Sequence, residues 1–283
     1  MSAASRLLAE FRDQVRLPQK DAGPSDIIER VGRVLRTYPD NPERDGASVE
    51  SPEGLGATEQ EIEGAIDTQV AFFRGRGQSF EWKTYADDPP ADLVDRLRRR
   101  GFDVGEVEVV MLGNSADLIH DVDPPAGLLI REFCGDDWER VRVLMDEVWG
   151  TGATWVNDAM RAEQDSNPAL LRPVLVEETE GAKRVVSYAA LRLTPGVDFA
   201  GLWGGTTHPE WRGRGLYRAL TAYRAKLALA AGHPFVRVDT APDSRPILTR
   251  LGLHQVTTTT PCGSGISCPP GSRKPASLMY GRL

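Results

Sequence analysis

Gly204-Gly-Thr-Thr-His-Pro-Glu-Trp-Arg-Gly-Arg-Gly-Leu-Tyr-Arg-Ala-Leu220 decides the reading of this chain. The residues from Leu202 to Thr207 read as a strand. Gly215 to Ala231 reads as a helix with Leu216, Leu220, Tyr223 and Leu227 on one face. Between them lies a short loop of glycines and arginines. A helix start leaves its first N–H groups without internal partners, pointing at whatever lies before them. Gly213 and Gly215 let the backbone come within hydrogen-bonding range of an anion. Arg212, Arg214 and Arg218 add charge suited to a pyrophosphate or a 3′-phosphate. Strand, glycines, arginines and helix start coincide, so the stretch reads as a phosphate cradle and not as a basic surface loop.

The dinucleotide fingerprint needs a third glycine, and Arg218 stands in its place. The Gly-Lys-Ser/Thr of a nucleotide-triphosphate loop is absent. Asp239, at the end of the next strand, imitates the ribose-binding acid of a nicotinamide enzyme and keeps an oxidoreductase as an alternative.

His208-Pro-Glu-Trp-Arg-Gly-Arg-Gly-Leu-Tyr-Arg-Ala-Leu220 resembles the acetyl-CoA signature of the GNAT superfamily of N-acetyltransferases. That signature is Gln/Arg-x-x-Gly-x-Gly/Ala at the start of the superfamily's main helix. Arg212 and Gly215 match it, and Tyr217 stands where Gly or Ala is usual. The resemblance runs from about Leu128 to Leu283. The whole chain also resembles actinobacterial proteins with a degenerate GNAT-like N-terminal domain. The resemblance implies acetyl-CoA as co-substrate and no metal. Its pyrophosphate is expected on Arg212, Gly213, Arg214 and Gly215, with Leu216, Tyr217 and Arg218 in the first helical turn. Its pantetheine arm is expected beside the backbone of Gly205, Thr206 and Thr207. The implied reaction is direct attack of an amine on the thioester, with the oxyanion held by a backbone N–H.

The chain departs from the family at the usual base and acid. The strand before the loop offers Gly, Leu, Trp and Thr, with Asp198 at its start, and Leu248 occupies the position of the usual Tyr acid. Three other residues are candidates for the chemistry. Asp239 is either a base or the cap of the next turn. His208 is either a proton shuttle or a structural His before Pro. Tyr188 either lines the acceptor side or packs. Trp149 and Trp155 flank Gly150 and Gly152, where the family's substrate loop would lie, as an aromatic wall or as core. A non-catalytic acyl-CoA-binding or scaffolding protein is therefore the second reading.

With 283 residues the chain is expected to form two domains. Its net charge of -7 disfavours nucleic acid and anionic membrane as partners. Arg96-Leu-Arg-Arg-Arg100 reads as the solvated end of a helix. Cys134, Cys262 and Cys268 lack the spacing of a zinc site. Met1 to Arg16 lacks the apolar core of a signal peptide, so the expected location is cytoplasmic. No apolar run approaches the about 20 residues of a membrane span. The expected partner is a small-molecule or peptide amine, and the expected state is monomer or homodimer.

Along the chain, Leu7 to Val15 and Ile27 to Leu35 read as short amphipathic helices. Pro39 to Gly56 reads as loop or irregular edge structure. Thr58 with Glu61 forms a capping box that opens a helix closed by Gly75 and Gly77. Phe80 to Tyr85 reads as a strand and Asp92 to Arg99 as a helix. Asp121 to Ala126, with two prolines, is the expected linker between residues 1–120 and 127–283. The second half reads as strand, two helices, three strands, helix, strand, helix and two strands, the last of them Ala276 to Leu283. A faint repeat of helix, strand, short helix and strand links the halves. The expected architecture is α/β: a mixed, mostly antiparallel GNAT-type sheet flanked by helices, preceded by a smaller GNAT-like α/β domain.

Overall fold

The structure is a computed structural model that describes residues 2–20, 22, 26–119, 123–150, 154–240 and 244–264, with residues 154–156 described by backbone alone. The expected strand Ala276–Leu283 and part of the expected linker, residues 121 and 122, lie outside the described residues. The described chain forms two compact units. One comprises residues 2–7 and 110–256, the other residues 8–109 and 257–264.

The first helix, α1, covers Ala3–Phe11 and continues into a π-helical turn, Arg12–Arg16. In the second unit, β1 (Asp26–Val31) and β2 (Val34–Pro39) pair antiparallel, with Val31 opposite Val34. This corrects the helix expected over Ile27 to Leu35. The apolar residues there are largely β-branched, which suits a pleated surface. Gly32 takes φ +63° in the two-residue turn, a left-handed conformation no helix interior holds. β3 (Ser48–Glu50) lies within the stretch expected to be loop or irregular edge structure. It is followed by α2 (Glu59–Arg76) and β4 (Glu81–Tyr85), which pairs parallel to β3. The capping box at Thr58 and Glu61 is present, and Gly77 closes α2 at φ +64°. After α3 (Leu93–Arg99) and β5 (Asp103–Val104), the remaining strand of this unit comes from the far end of the chain. β12 (His254–Gly263) pairs antiparallel with β4, Thr259 facing Tyr85. Val49, Ile66, Phe73, Trp82 and Leu97 form the centre of this core.

The other unit contains most of β6 (Glu108–Asn114), then β7 (Leu128–Glu132), α4 (Asp137–Trp149), α5 (Thr154–Ser166), β8 (Leu171–Glu178), β9 (Val185–Leu193), β10 (Phe199–Thr207), α6 (Leu216–Ala230), β11 (Phe235–Thr240) and α7 (Arg245–Arg250). Its strands lie in the order β6-β11-β10-β9-β8-β7. β7 to β10 are antiparallel neighbours, and β10 and β11 are parallel, joined by α6. One face packs Trp138, Leu144, Met160 and Tyr188 with α4 and α5. The other packs Val174, Val186 and Ala189 against Leu216 and Leu220 of α6.

A buried ion cluster ties β7, β8 and α4 together. Arg131 and Arg140 each bridge Asp137 and Glu177. Asp137 also accepts the Cys134 N–H at 2.7 Å. Burial pushes the Asp137 carboxyl up, but Arg131, the Cys134 N–H and Arg140 outweigh it and hold the group at about 2. The folded value lies below the unfolded one, so the stabilisation is complete above about pH 4 and is lost as pH falls through about 2. The shift corresponds to about 2–3 kcal/mol at neutral pH. Asp137→Asn is therefore expected to lower the urea-unfolding free energy by about that much at pH 7 and by roughly half of it at pH 3. An equal loss at both pH values would show that packing, not charge, is responsible.

Candidate active site

The site is built where β10 parts from both of its neighbours. β10 pairs with β9 from Ala200–Leu193 to Trp203–Ala190, then resumes with Thr206 opposite Tyr188 and Thr207 opposite Ser187. The register shift places one extra residue in β10, a bulge at Gly204-Gly205. Gly204 takes φ +64°, and a Cβ there would stand 3.3 Å from Met160 Cε and 3.4 Å from the Tyr188 ring. On the opposite edge, pairing with β11 stops at Gly201–Arg237, although β10 runs on to Thr207 and β11 to Thr240. The two parallel strands therefore splay. The His208 N–H bonds to Val186 O at 2.9 Å. Antiparallel alternation then turns the main-chain groups of Gly205 and Thr207 toward the splayed edge. The Thr206 and Thr207 side chains are anchored inside. Thr206 Oγ1 accepts from Trp149 Nε1 at 3.2 Å, and Thr207 Oγ1 shares a hydrogen bond with Ser187 at 2.8 Å.

At the end of this strand lies the loop. A single 3₁₀ turn, Pro209–Trp211, leads to Gly213 at φ +72° and Gly215 at φ +83°. The first helical bond runs from the Ala219 N–H to Gly215 O at 3.0 Å. Among the described residues, none accepts a hydrogen bond from the N–H groups of residues 213–218. Arg212, Arg214 and Arg218 are exposed, and no described carboxylate lies within ion-pair distance of them. Arg131, Arg140, Arg172, Arg184 and Arg192 of the same unit are all paired. Three unneutralised cations thus surround six unspent donors, an arrangement suited to a pyrophosphate.

The predicted acid–base residues occupy different settings. Tyr188 is 1% exposed, its hydroxyl donates to Met160 Sδ at 2.9 Å, and burial raises its pKa. It packs with Phe133 and Trp138 as core. His208 caps the 3₁₀ turn: Nδ1 accepts the Glu210 N–H at 3.3 Å, while Nε2 lies 2.8 Å from an Arg184 nitrogen. Asp239 is buried two residues beyond Arg237, past the last β10–β11 pair and therefore on the far wall of the splay. Leu248 is fully buried. Trp149 packs against the core that contains Trp138 and Tyr188 and donates to Thr206 Oγ1, and the Trp155 side chain lies outside the described residues.

No family model matches the chain, and no curated protein matches it. Solved structures do. A GCN5-related N-acetyltransferase from Kribbella flavida superposes with a TM-score of 0.67 at 17% identity, over 94% of this chain and 96% of the other. One from Sphaerobacter thermophilus gives 0.59 at 16% identity, over 93% and 92%. A tandem GNAT protein from the clavulanic acid biosynthesis pathway gives 0.58 at 14%, over 95% and 98%. The fold is that of the GCN5-related N-acetyltransferases.

Within this GNAT fold, each unit carries a parallel strand–helix–strand crossover, but the two helix starts differ. At α2 three of the donors are spent: Glu61 accepts from the Ala57 N–H at 2.7 Å and the Thr58 N–H at 3.0 Å, and Thr58 accepts the Glu61 N–H. A carboxylate already occupies the place an anion would take. The loop at α6 is left open.

Two residues beside this loop make contacts that the sequence did not show. Arg224 projects from the apolar face of α6 and is 1% exposed. It donates to Leu220 O at 3.2 Å, Ala190 O at 3.1 Å and Trp203 O at 3.3 Å, with no described carboxylate as partner. Burial pulls its pKa down to about 10, so it stays charged at neutral pH. Ala190 and Trp203 are the last pair before the bulge, so the guanidinium satisfies carbonyls where the ladder breaks. Tyr217, the departure from the signature, is the second. Its hydroxyl shares a hydrogen bond with Ser244, which in turn bonds Thr240 at the end of β11. The signal for Arg224 was a cation four residues after Leu220, within the helix's apolar stripe.

Proposed function

We propose that the chain transfers an acetyl group from acetyl-CoA to an amine. The observation that carries this reading is the splay of β10 from β11 ending directly at a loop of unspent donors and cations. The residues fit the co-substrate. The N–H groups of residues 213–218, with Arg212, Arg214 and Arg218, would hold the pyrophosphate. The main chain of Gly205 and Thr207 would pair with the amide-bearing arm. When bound, acetyl-CoA supplies an activated thioester open to direct attack by an amine. The bulge, braced by Arg224, keeps main-chain donors turned away from β9 and available to a developing oxyanion. Asp239 is the proposed recipient of the amine's proton, directly or through water. His208 serves as a cap, and Tyr188 as core.

Isothermal calorimetry with acetyl-CoA and with NAD tests the cofactor, and thiol release in the presence of amines tests the transfer. One acetyl-CoA per chain is expected, because the α2 start is closed by Glu61. A stoichiometry of two would refute the assignment of a single site. Preference for NAD would favour an oxidoreductase.

A non-catalytic acyl-CoA binder is the rival reading. It draws on Leu248 at the usual acid position and on the enclosed Tyr188 hydroxyl. Tight acetyl-CoA binding with no thiol release from any amine would select it.

A further inference from the structure

β10 is a central strand, with β9 on one side, β11 on the other and helices over both faces. Leu202 before the bulge and Thr206 after it are buried, yet Trp203, Gly204 and Gly205 between them are only half-buried. Solvent therefore reaches the middle of the sheet here, at the opening that the splay leaves.

Trp203 is firmly seated at this opening. Residues opposite one another on neighbouring strands share a face, and Gly201 lies opposite Arg192 on β9 and Arg237 on β11. A Cβ at Gly201 would overlap Trp203 Nε1 and stand 3.0 Å from its Cδ1, so the indole edge takes the space the glycine leaves. The guanidinium carbons of Arg192 and Arg237 lie 4.8 Å and 5.6 Å from the ring centroid, one from each neighbouring strand. Arg192 is in turn held by Glu163 of α5 through two bonds of 2.6 Å. The indole is thus fixed in place before any ligand arrives, which lowers the entropy cost of binding against it.

The face on which it stands is that of α4 and α5. Trp203 and Trp149 both pack on the cluster that contains Met160 and Tyr188, and both indoles stay half-buried. Over Gly204 itself, the atoms nearest to a Cβ belong to Met160 and the Tyr188 ring. The lining beside the bulge is therefore aromatic and thioether. Its cations flank the indole, and Arg192 is neutralised by Glu163. Such a wall favours a flat apolar group, through ring-to-ring and sulfur-to-ring contact, over a second ammonium. Asp239, two residues on from Arg237 in the same strand, lies on the same face.

We propose, on the acetyl-transfer reading given above, that the acceptor is an amine carried on an aromatic body and that Trp203 is the residue that selects it. The ring rests against Trp203, beside Met160, and the amine lies between the bulge and Asp239.

The test measures thiol release from acetyl-CoA with phenethylamine, ethylamine and putrescine, as kcat/KM per free-base amine so that differences in basicity cancel. Saturation-transfer NMR of phenethylamine with the CoA-loaded protein reports binding without turnover. The variants are Trp203→Phe and Trp203→Gln, both of which keep the space over Gly201 largely filled. Wild type is expected to prefer phenethylamine to the other two amines at least tenfold, mainly in KM, since burying a phenyl group contributes about tenfold or more. Trp203→Gln should lose most of that preference through KM and weaken the saturation transfer, and Trp203→Phe should retain both. A wild type that favours ethylamine or putrescine would overturn the assignment, as would a preference that survives intact in Trp203→Gln. Failure of acetyl-CoA to bind, or of every amine to release thiol, is a different result: it removes the acetyl-transfer reading itself, and the aromatic acceptor falls with it.

Discussion

Gly215→Glu is expected to lower the affinity for acetyl-CoA by about two to four orders of magnitude, the equivalent of about 3–6 kcal/mol. Hydrogen bonds to a charged group contribute about 1.5–3 kcal/mol each, and the substitution removes at least two of them by placing a carboxylate where the pyrophosphate would sit. The fold should tolerate it. A Cβ at Gly215 meets no atom within 4 Å, so the cost is the left-handed φ of +83° alone. That cost is about 1–2 kcal/mol for a residue with a side chain. Gly215→Ala carries the same backbone cost without the charge. It should bind acetyl-CoA far better than Gly215→Glu at a similar melting temperature. Calorimetry on wild type and both variants decides the matter. Equal affinities in wild type and Gly215→Glu would remove the cradle assignment, whatever the fold.

With an alkylamine acceptor, kcat/KM should rise about tenfold per pH unit from neutrality toward the amine's own pKa near about 10.4. Only about one such molecule in a thousand is the nucleophilic free base at pH 7. A dedicated general base typically recovers a factor of about 10²–10⁴. The strand before the loop carries no carboxylate between Phe199 and Thr207, so the burden falls on Asp239 or on the acceptor itself. An aromatic amine or a peptide N-terminus, already neutral in larger proportion, should react with a flatter profile and a higher rate at pH 7. If Asp239 receives the proton, Asp239→Asn should slow a good substrate at least tenfold at pH 7, with less effect at high pH. His208→Ala should act on the melting temperature through the lost cap more than on the rate. A slow, steep profile in which neither variant moves the rate tenfold would leave deprotonation to solvent. A flat profile for alkylamines would argue against the whole scheme.

Much of the site was legible because local signals carry local structure. Arg212 to Gly215 could be read as a phosphate loop because unspent donors at a helix start follow from helix geometry, whatever surrounds them. The capping box at Thr58 and Glu61 was likewise complete within four residues. Hydrophobic spacing failed at Ile27 to Leu35, where nine residues fit a helix and a hairpin alike. There the pairing partner across β2 decided, and Gly32 at φ +63° is the trace it left.

The roles of Tyr188 and His208 were open in the sequence because each depends on neighbours distant along the chain. Met160, 28 residues away, takes the Tyr188 hydroxyl, and Arg184, 24 residues away, meets the His208 ring. The same holds for Arg224, whose bulge-bracing contacts lie 21 and 34 residues off. A cation in an apolar stripe signals something unusual, but not which carbonyls it satisfies.

The sequence by itself determined the order of most elements, the glycine- and arginine-rich loop at the start of α6 and the resemblance to a GNAT sheet, since periodicity and helix-terminal chemistry act over a few residues. Only the tertiary structure decided the bulge at Gly204, the splay at Gly201 and the membership of residues 257–263 in the unit of β4. Strand pairing and burial are set by contacts between residues far apart in the chain, and no local pattern encodes which strand a given edge will meet.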